Sequence, residues 1–144
     1  MVTVHATCIA IDGHGILLRG PSGSGKSDLA LRAIDQGAQL VADDRVDLTR
    51  QGDSMIGSAP SSLHGLIEIR GLGIIRMDAA AEARIALVAD MADHGSIERL
   101  PGQRRCEIEG TTIPWMALDP FQASAPAKLR LGLAAALDPA RLAS

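Results

Sequence analysis

Gly20-Pro21-Ser22-Gly23-Ser24-Gly25-Lys26-Ser27 is the stretch on which the reading of this chain turns. It fits G-x-x-x-x-G-K-[ST] at every fixed position, and it has the context that pattern needs. A short apolar run, Ile16-Leu17-Leu18, stands before it, and helical spacing begins after it. The pattern answers a physical problem, the crowding of many negative oxygens into a small space. Glycines let successive backbone N–H groups turn inwards with no Cβ in the way, and the helix that follows adds the positive end of its dipole. Lys26, read as a solvent-facing loop lysine with little packing, would bridge β- and γ-phosphates. The Ser27 hydroxyl would be one ligand of Mg²⁺, a hard cation that prefers oxygen. A glycine- and serine-rich helix cap would account for the turn, but for neither Lys26 nor the full spacing.

Working outwards, Val4 to Ile11 is β-prone and Asp12-Gly13-His14-Gly15 supplies turn residues, so the approach to the loop reads as strand, turn, strand. After Lys26, the residues Leu29, Ala30, Ala33 and Ile34 share one helical face and Gly37 is placed as a stop. Leu40-Val41-Ala42 reads as the next strand, ending at Asp43-Asp44, with Val46 to Thr49 as an extended continuation. In a parallel arrangement the two carboxylates reach the same sheet edge as the phosphate loop. There one can accept a hydroxyl proton during phosphoryl transfer while the other helps to hold Mg²⁺ through water. Neighbours on a strand face opposite ways, so Asp43 and Asp44 cannot share a role, and the sequence leaves open which is the base.

Gln51 to Ser62 is rich in Gly, Ser and Pro and reads as a surface loop. Leu66 to Ile75 alternates and then turns at Gly71-Leu72-Gly73. If it is extended, Glu68 and Arg70 share a face, offering a metal ligand and a cation for phosphate charge; a surface salt bridge explains the spacing equally well. Between residues 78 and 93, alanine content favours helix while Arg84-Ile85-Ala86-Leu87-Val88 suits a strand. Strands are expected over Cys106 to Ile108 and Thr112 to Leu118, with a loop around Pro101-Gly102 and a last helix over Ala127 to Leu137. By itself His5 is a lone histidine of the kind more often structural than catalytic, and Arg99 has no distinction among the arginines.

Composition removes several other functions. The 144 residues, 47% of them hydrophobic, suit a single α/β domain over 1–144 whose core is stable without staples. A formal net charge of −3 with no dense Lys/Arg run argues against nucleic acid as a partner. Cys8 and Cys106 form no CxxC or Cys/His cluster, so no disulfide framework or zinc site is indicated and a reducing cytoplasm suits them. No apolar run reaches the roughly 18 residues of a membrane span, and the start has no basic n-region. Only Trp115 and Phe121 are aromatic, so a nucleotide base would be held by aliphatic contacts.

Taken together, these segments resemble the catalytic domain of bacterial HPr kinase/phosphorylase, which phosphorylates a serine of the phosphocarrier protein HPr. The matching stretches are His5, the loop through Asp28, Gln39 to Val46, Gly57-Ser58-Ala59-Pro60, and Leu66 to Ile75 with its Glu68-Ile69-Arg70-Gly71-Leu72-Gly73. The last is the most specific, since a generic phosphate loop has no reason to carry it. Ile97-Glu98-Arg99-Leu100 is similar to the family's segment bearing an active-site arginine.

The resemblance implies His5 near the phosphates, Lys26 on ATP, Ser27 and Glu68 at Mg²⁺, and Asp43 or Asp44 as base towards the HPr serine. Arg99 would stabilise the transferring group. It also implies strand over Arg84 to Val88, a fold related to phosphoenolpyruvate carboxykinase with a mixed sheet around the loop, and commonly a hexamer. The chain looks like a short form without the family's separate N-terminal domain. The family's segment linked to phosphorolysis is not legible in Leu118 to Pro126, which leaves phosphorylase activity open.

The expectation is therefore a Mg²⁺-requiring, ATP-dependent protein serine kinase, a cytoplasmic transferase acting on HPr. Two alternatives compete with it. One is a small-molecule kinase of the shikimate or nucleotide type, for which Arg104-Arg105 would hint at a lid. The other is a nucleotide-sensing module without turnover.

Overall fold

The alternating apolar start of the chain forms the strand around which the rest is assembled. In the computed structural model, which describes residues 1–143, this first strand, β1, spans Val2–Ile11. Asp12 and Gly13 take positive φ, 51° and 81°, as a two-residue hairpin turn requires. The chain returns antiparallel as β2, His14–Arg19, with Ile9 opposite Ile16 and Ala6 opposite Arg19. The glycine-rich loop follows, then helix α1, Lys26–Asp35. The remaining elements in order are β3, Gln39–Ala42; β4, Arg45–Gln51; β5, Ser54–Ser58; β6, Leu66–Ile69; and β7, Gly73–Arg76. They continue with β8, Ala83–Met91; β9, Arg104–Ile108; β10, Thr111–Leu118; and α2, Ala125–Leu137.

β1 has β2 on one side and both β3 and β4 on the other, all antiparallel to it. β2 and β3 therefore run the same way, with β1 between them, and their last residues, Arg19 and Ala42, emerge at one end of the sheet. This is the parallel relation expected of the strand-helix-strand unit. β8 pairs parallel with β2 along its length and with β10 near its end, and antiparallel with β5 at its start. β2, β1, β4, β5 and β8 thus close a ring, and the sheet as a whole is mixed.

The ring separates two apolar clusters. Cys8, Leu17, Val41, Leu48, Met55, Ile85 and Val88 belong to a cluster drawing on every strand of the ring. On the other face Ile9, Ile16, Leu18, Leu87 and Ala89 meet Leu29 and Ala33 of α1 and Leu129 and Leu133 of α2. Each fully buried aliphatic side chain is worth roughly 1.5–3 kcal/mol, so this double-sided burial is what holds β1, β2 and β8 rigid beneath the loop.

Half of Gln51 to Ser62 is strand, Gln51 and Ser54 to Ser58, not one surface loop as its composition suggests: only Gly52 and Asp53 form the turn between β4 and β5. Its small residues serve packing. Met55 is buried, and a Cβ on Gly57 would lie 3.0 Å from Ile85 Cδ1 and 3.5 Å from Cys8 Sγ. The extended run over Glu68 and Arg70 also needs correction, because β6 stops at Ile69 and Arg70 begins the turn into β7. In α2, Leu129 and Leu133 are buried as spaced, whereas Leu137 is exposed. Arg84 to Val88 is strand. No helix among the described residues is long and apolar enough to cross a membrane.

Candidate active site

Because β2 and β3 end together, the glycine loop and the paired aspartates face each other. α1 begins at Lys26 with Gly25 as N-cap at φ 98°, and no side chain caps it. Its first-turn N–H groups are therefore free for an anion's oxygens. The loop is folded tightly enough that a Cβ on Gly20 would lie 2.6 Å from Ser24 Oγ. That Ser24 hydroxyl is buried and has no hydrogen-bond partner, an orphaned polar group of the kind a phosphate oxygen satisfies.

Lys26 departs from its expected solvent-facing position. It is 6% exposed, and its Nζ donates to the carbonyls of Gly20, at 2.6 Å, and Pro21, at 3.0 Å. The ammonium is thus folded onto its own loop. Burial lowers its pKa, and the charges of Asp44 and Asp43 partly oppose that shift.

The two aspartates occupy a bend between β3 and β4, not the end of one continuous strand. Arg45 N donates to Asp43 O at 2.8 Å, closing a three-residue turn centred on Asp44, whose φ is 68°. This uncommon conformation interrupts the strand between the two residues, and Asp43 ends buried while Asp44 ends exposed. Asp43 is buried, its Oδ1 accepting from Ser27 Oγ (2.7 Å) and Thr7 Oγ1 (3.1 Å) and its Oδ2 from Glu68 N (3.2 Å). Asp44 is exposed and its Oδ1 lies 2.9 Å from His5 Nε2, which donates when the ring proton sits on that nitrogen.

His5, Lys26, Ser27, Asp44, Glu68 and Arg70 all line one cleft of about 540 Å³, together with Ser22, Gly23 and Gly25 of the loop. Arg70 reaches it from the turn. Arg99 does not line it: the residue is exposed in the segment after β8. Arg104 and Arg105 belong to β9 and line a separate cavity of about 290 Å³, so they form no lid over the loop.

The donor set suits a hard cation held jointly with phosphates. The Ser27 hydroxyl and the Glu68 carboxylate line the cleft and supply oxygen, and the free N–H groups of the first turn of α1 suit anionic oxygens. Among the described residues no group of three or more His, Cys, Asp or Glu could hold a metal unaided.

Thr7 and Asp90 escaped the sequence reading. Thr7 is a polar residue inside the buried run Ala6 to Ile11, and it braces Asp43. Asp90 closes the apolar run of β8 directly opposite Arg19, the residue that opens the loop.

A glycine loop between strand and helix, facing two carboxylates across a cleft, has the form of a phosphoryl-transfer site. The chain belongs to the HPr Serine kinase C-terminal domain family, whose family model matches residues 1–119. Among curated relatives, the HPr kinase/phosphorylase of Streptococcus salivarius is 34% identical over 124 residues, 78% of this chain and 40% of that protein. That of Exiguobacterium sp. is 46% identical over 76 residues, 52% of this chain and 24% of that protein. The chain therefore spans well under half the length of these relatives. Among solved structures, the Hpr(Ser) kinase/phosphatase from Coxiella burnetii superposes with a TM-score of 0.82 at 29% identity, covering 93% of this chain and 95% of that one.

Proposed function

We propose that this chain is the catalytic domain, over residues 1–144, of a cytoplasmic, ATP-dependent protein serine kinase acting on the phosphocarrier HPr, with a phosphoenolpyruvate carboxykinase-like core. The observation that carries this reading is the convergence of Lys26, Ser27, Asp44 and Glu68 on one cleft at the uncapped start of α1. The names of the relatives support HPr as the acceptor and kinase chemistry, and the glycine loop at the start of α1 supports ATP as the donor.

In this reading Lys26 leaves the Gly20 and Pro21 carbonyls for the β- and γ-phosphates, and the loop amides take the remaining oxygens. Both oxygens of Asp43 are engaged by hydrogen bonds and the group is buried, so it serves as an anchor for Ser27 and for the strand bearing Glu68. Asp44, exposed and oriented by His5, is the base. It takes the proton of the acceptor serine as that oxygen bonds to the γ-phosphorus and the bond from phosphorus to the β,γ-bridging oxygen breaks, leaving ADP. Ser27 and Glu68 hold Mg²⁺, which supplies charge neutralisation when bound. Arg70 faces the incoming phosphocarrier, and Arg99 reaches the transferring group only if its segment swings or if it belongs to another copy in a homo-oligomer such as the family's hexamer.

The test is to incubate the chain with magnesium, γ-labelled ATP and purified HPr. Label on an HPr serine supports the reading, and ATP binding with no label on HPr rejects it. Repeating the assay on phosphorylated HPr with added inorganic phosphate decides whether the site also runs in reverse.

A further inference from the structure

The phosphate loop begins at the last rung of the β2–β8 pair, where a strand ladder ordinarily frays. Here that rung is pinned by side chains. Arg19 and Asp90 are register partners, and the guanidinium donates from Nε to Asp90 Oδ1 at 2.7 Å and from Nη2 to Oδ2 at 2.8 Å. Asp90 Oδ2 accepts a third bond, 2.8 Å from Trp115 Nε1 on β10. The neighbours one step further on also touch: a Cβ on Gly20 would lie 3.1 Å from Met91 Cβ. Three strands are thus tied at the point where the backbone enters the loop.

We propose that Asp90 is a positioning residue for the phosphate loop, fixing through Arg19 the place at which β2 delivers Gly20 and hence the place of Lys26. The geometry gives two reasons. Lys26 Nζ rests on the carbonyls of Gly20 and Pro21, so the entry to the loop sets the position from which the ammonium moves to the phosphates. And Arg19 is a cation one residue from a phosphate cradle; the fork-to-fork pair with Asp90 engages its Nε–Nη2 edge and balances its charge, which holds it away from the anion. Trp115 completes the device by donating a third hydrogen bond to the same carboxylate. Its ring is in turn covered by Arg104, whose Cζ is 4.9 Å from the ring centroid.

This rests on the nucleotide site proposed above, and the test separates the two. Trp115 is the chain's single tryptophan, so its emission reports the clamp without labelling. Calorimetric titration with magnesium ATP and the change in Trp115 emission are measured on the full chain and on Asp90→Asn, Arg19→Gln and the double variant, with kcat and KM for ATP from HPr labelling. The expected result is an emission change in the wild type that Asp90→Asn abolishes. With it comes weaker ATP binding and higher KM by about tenfold, at a kcat within about twofold. The double variant should be no weaker than either single one, because both remove one clamp. A wild type that binds no ATP overturns the nucleotide site and this proposal with it. A wild type that binds ATP while Asp90→Asn matches it in affinity and emission overturns the positioning role alone. If Asp90→Asn fails to fold, Trp115→Phe, which removes one donor and keeps an aromatic ring, decides instead: raised KM for ATP supports the proposal and unchanged KM overturns it.

Discussion

Ser27 Oγ donates a 2.7 Å hydrogen bond to Asp43 Oδ1, joining the first turn of α1 to the bend after β3. This contact ties together the two segments that the sequence suggested would share one edge of the sheet. Asp43 also holds Thr7 and the backbone of Glu68, so a single buried carboxylate fixes three of the surfaces facing the cleft.

Replacing Asp43 with Ala should therefore cost both stability and activity. The Thr7 hydroxyl is left buried without a partner, a penalty of about 1–3 kcal/mol, and Ser27 and Glu68 lose their common anchor. Urea denaturation checks the first effect and phosphate transfer the second. Wild-type stability in Asp43→Ala would contradict the anchoring role.

Asp44→Asn should leave stability close to wild type, since the residue is exposed, while lowering transfer by about 10²–10⁴-fold. His5→Gln should lower it less, because the carboxylate survives and loses only its orientation. ATP affinity, measured by titration, should stay unchanged in both variants. Weakened ATP binding equal to the loss of transfer would remove Asp44 from the role of base.

Lys26 gives the empty protein a pH signature. Burial lowers its pKa below the ordinary 10.5. Between the lowered value and 10.5 the unfolded chain carries a proton on Lys26 that the folded chain has shed, so the contribution of Lys26 to stability rises with pH there, against the fall from the buried Cys8 thiol, which burial pushes up to about 12. Below the lowered value the folded protein bears the cost of a buried ammonium that Asp44 and Asp43 only partly offset. Lys26→Met should remove this opposing contribution, steepening the alkaline fall in melting temperature, and eliminate transfer. An identical pH profile in the variant would refute the assignment.

Gly57→Val should destabilise by about 1–3 kcal/mol, since its Cβ alone would sit 3.0 Å from Ile85 Cδ1 where β5 meets β8. Thermal melting is the measurement, and an unchanged midpoint would mean that the ring relaxes there.

What the sequence made legible was local. The hairpin of β1 and β2, the loop, α1 and most of α2 are each written in neighbouring residues, through turn chemistry or helical spacing. The ring closure is not, because Arg19 and Asp90 are 71 residues apart and no periodicity announces such a pair. Gln51 to Ser62 misled because glycine and serine can signal exposure or close packing, and Gly57 does the second. At the site, Lys26, Ser27 and Glu68 follow from motif spacing and resemblance. The different surroundings of Asp43, buried, and Asp44, exposed, go with the left-handed bend at Asp44, which an aspartate pair alone does not encode.

Since β2 pairs in parallel with β8 as well as antiparallel with β1, the ladder that carries the glycine loop is completed by a strand more than sixty residues further on. The footing of the proposed phosphate cleft thus depends on the middle of the chain looping back. A chain halted before Ala83 would carry the whole glycine motif without the parallel strand that braces β2 beneath it.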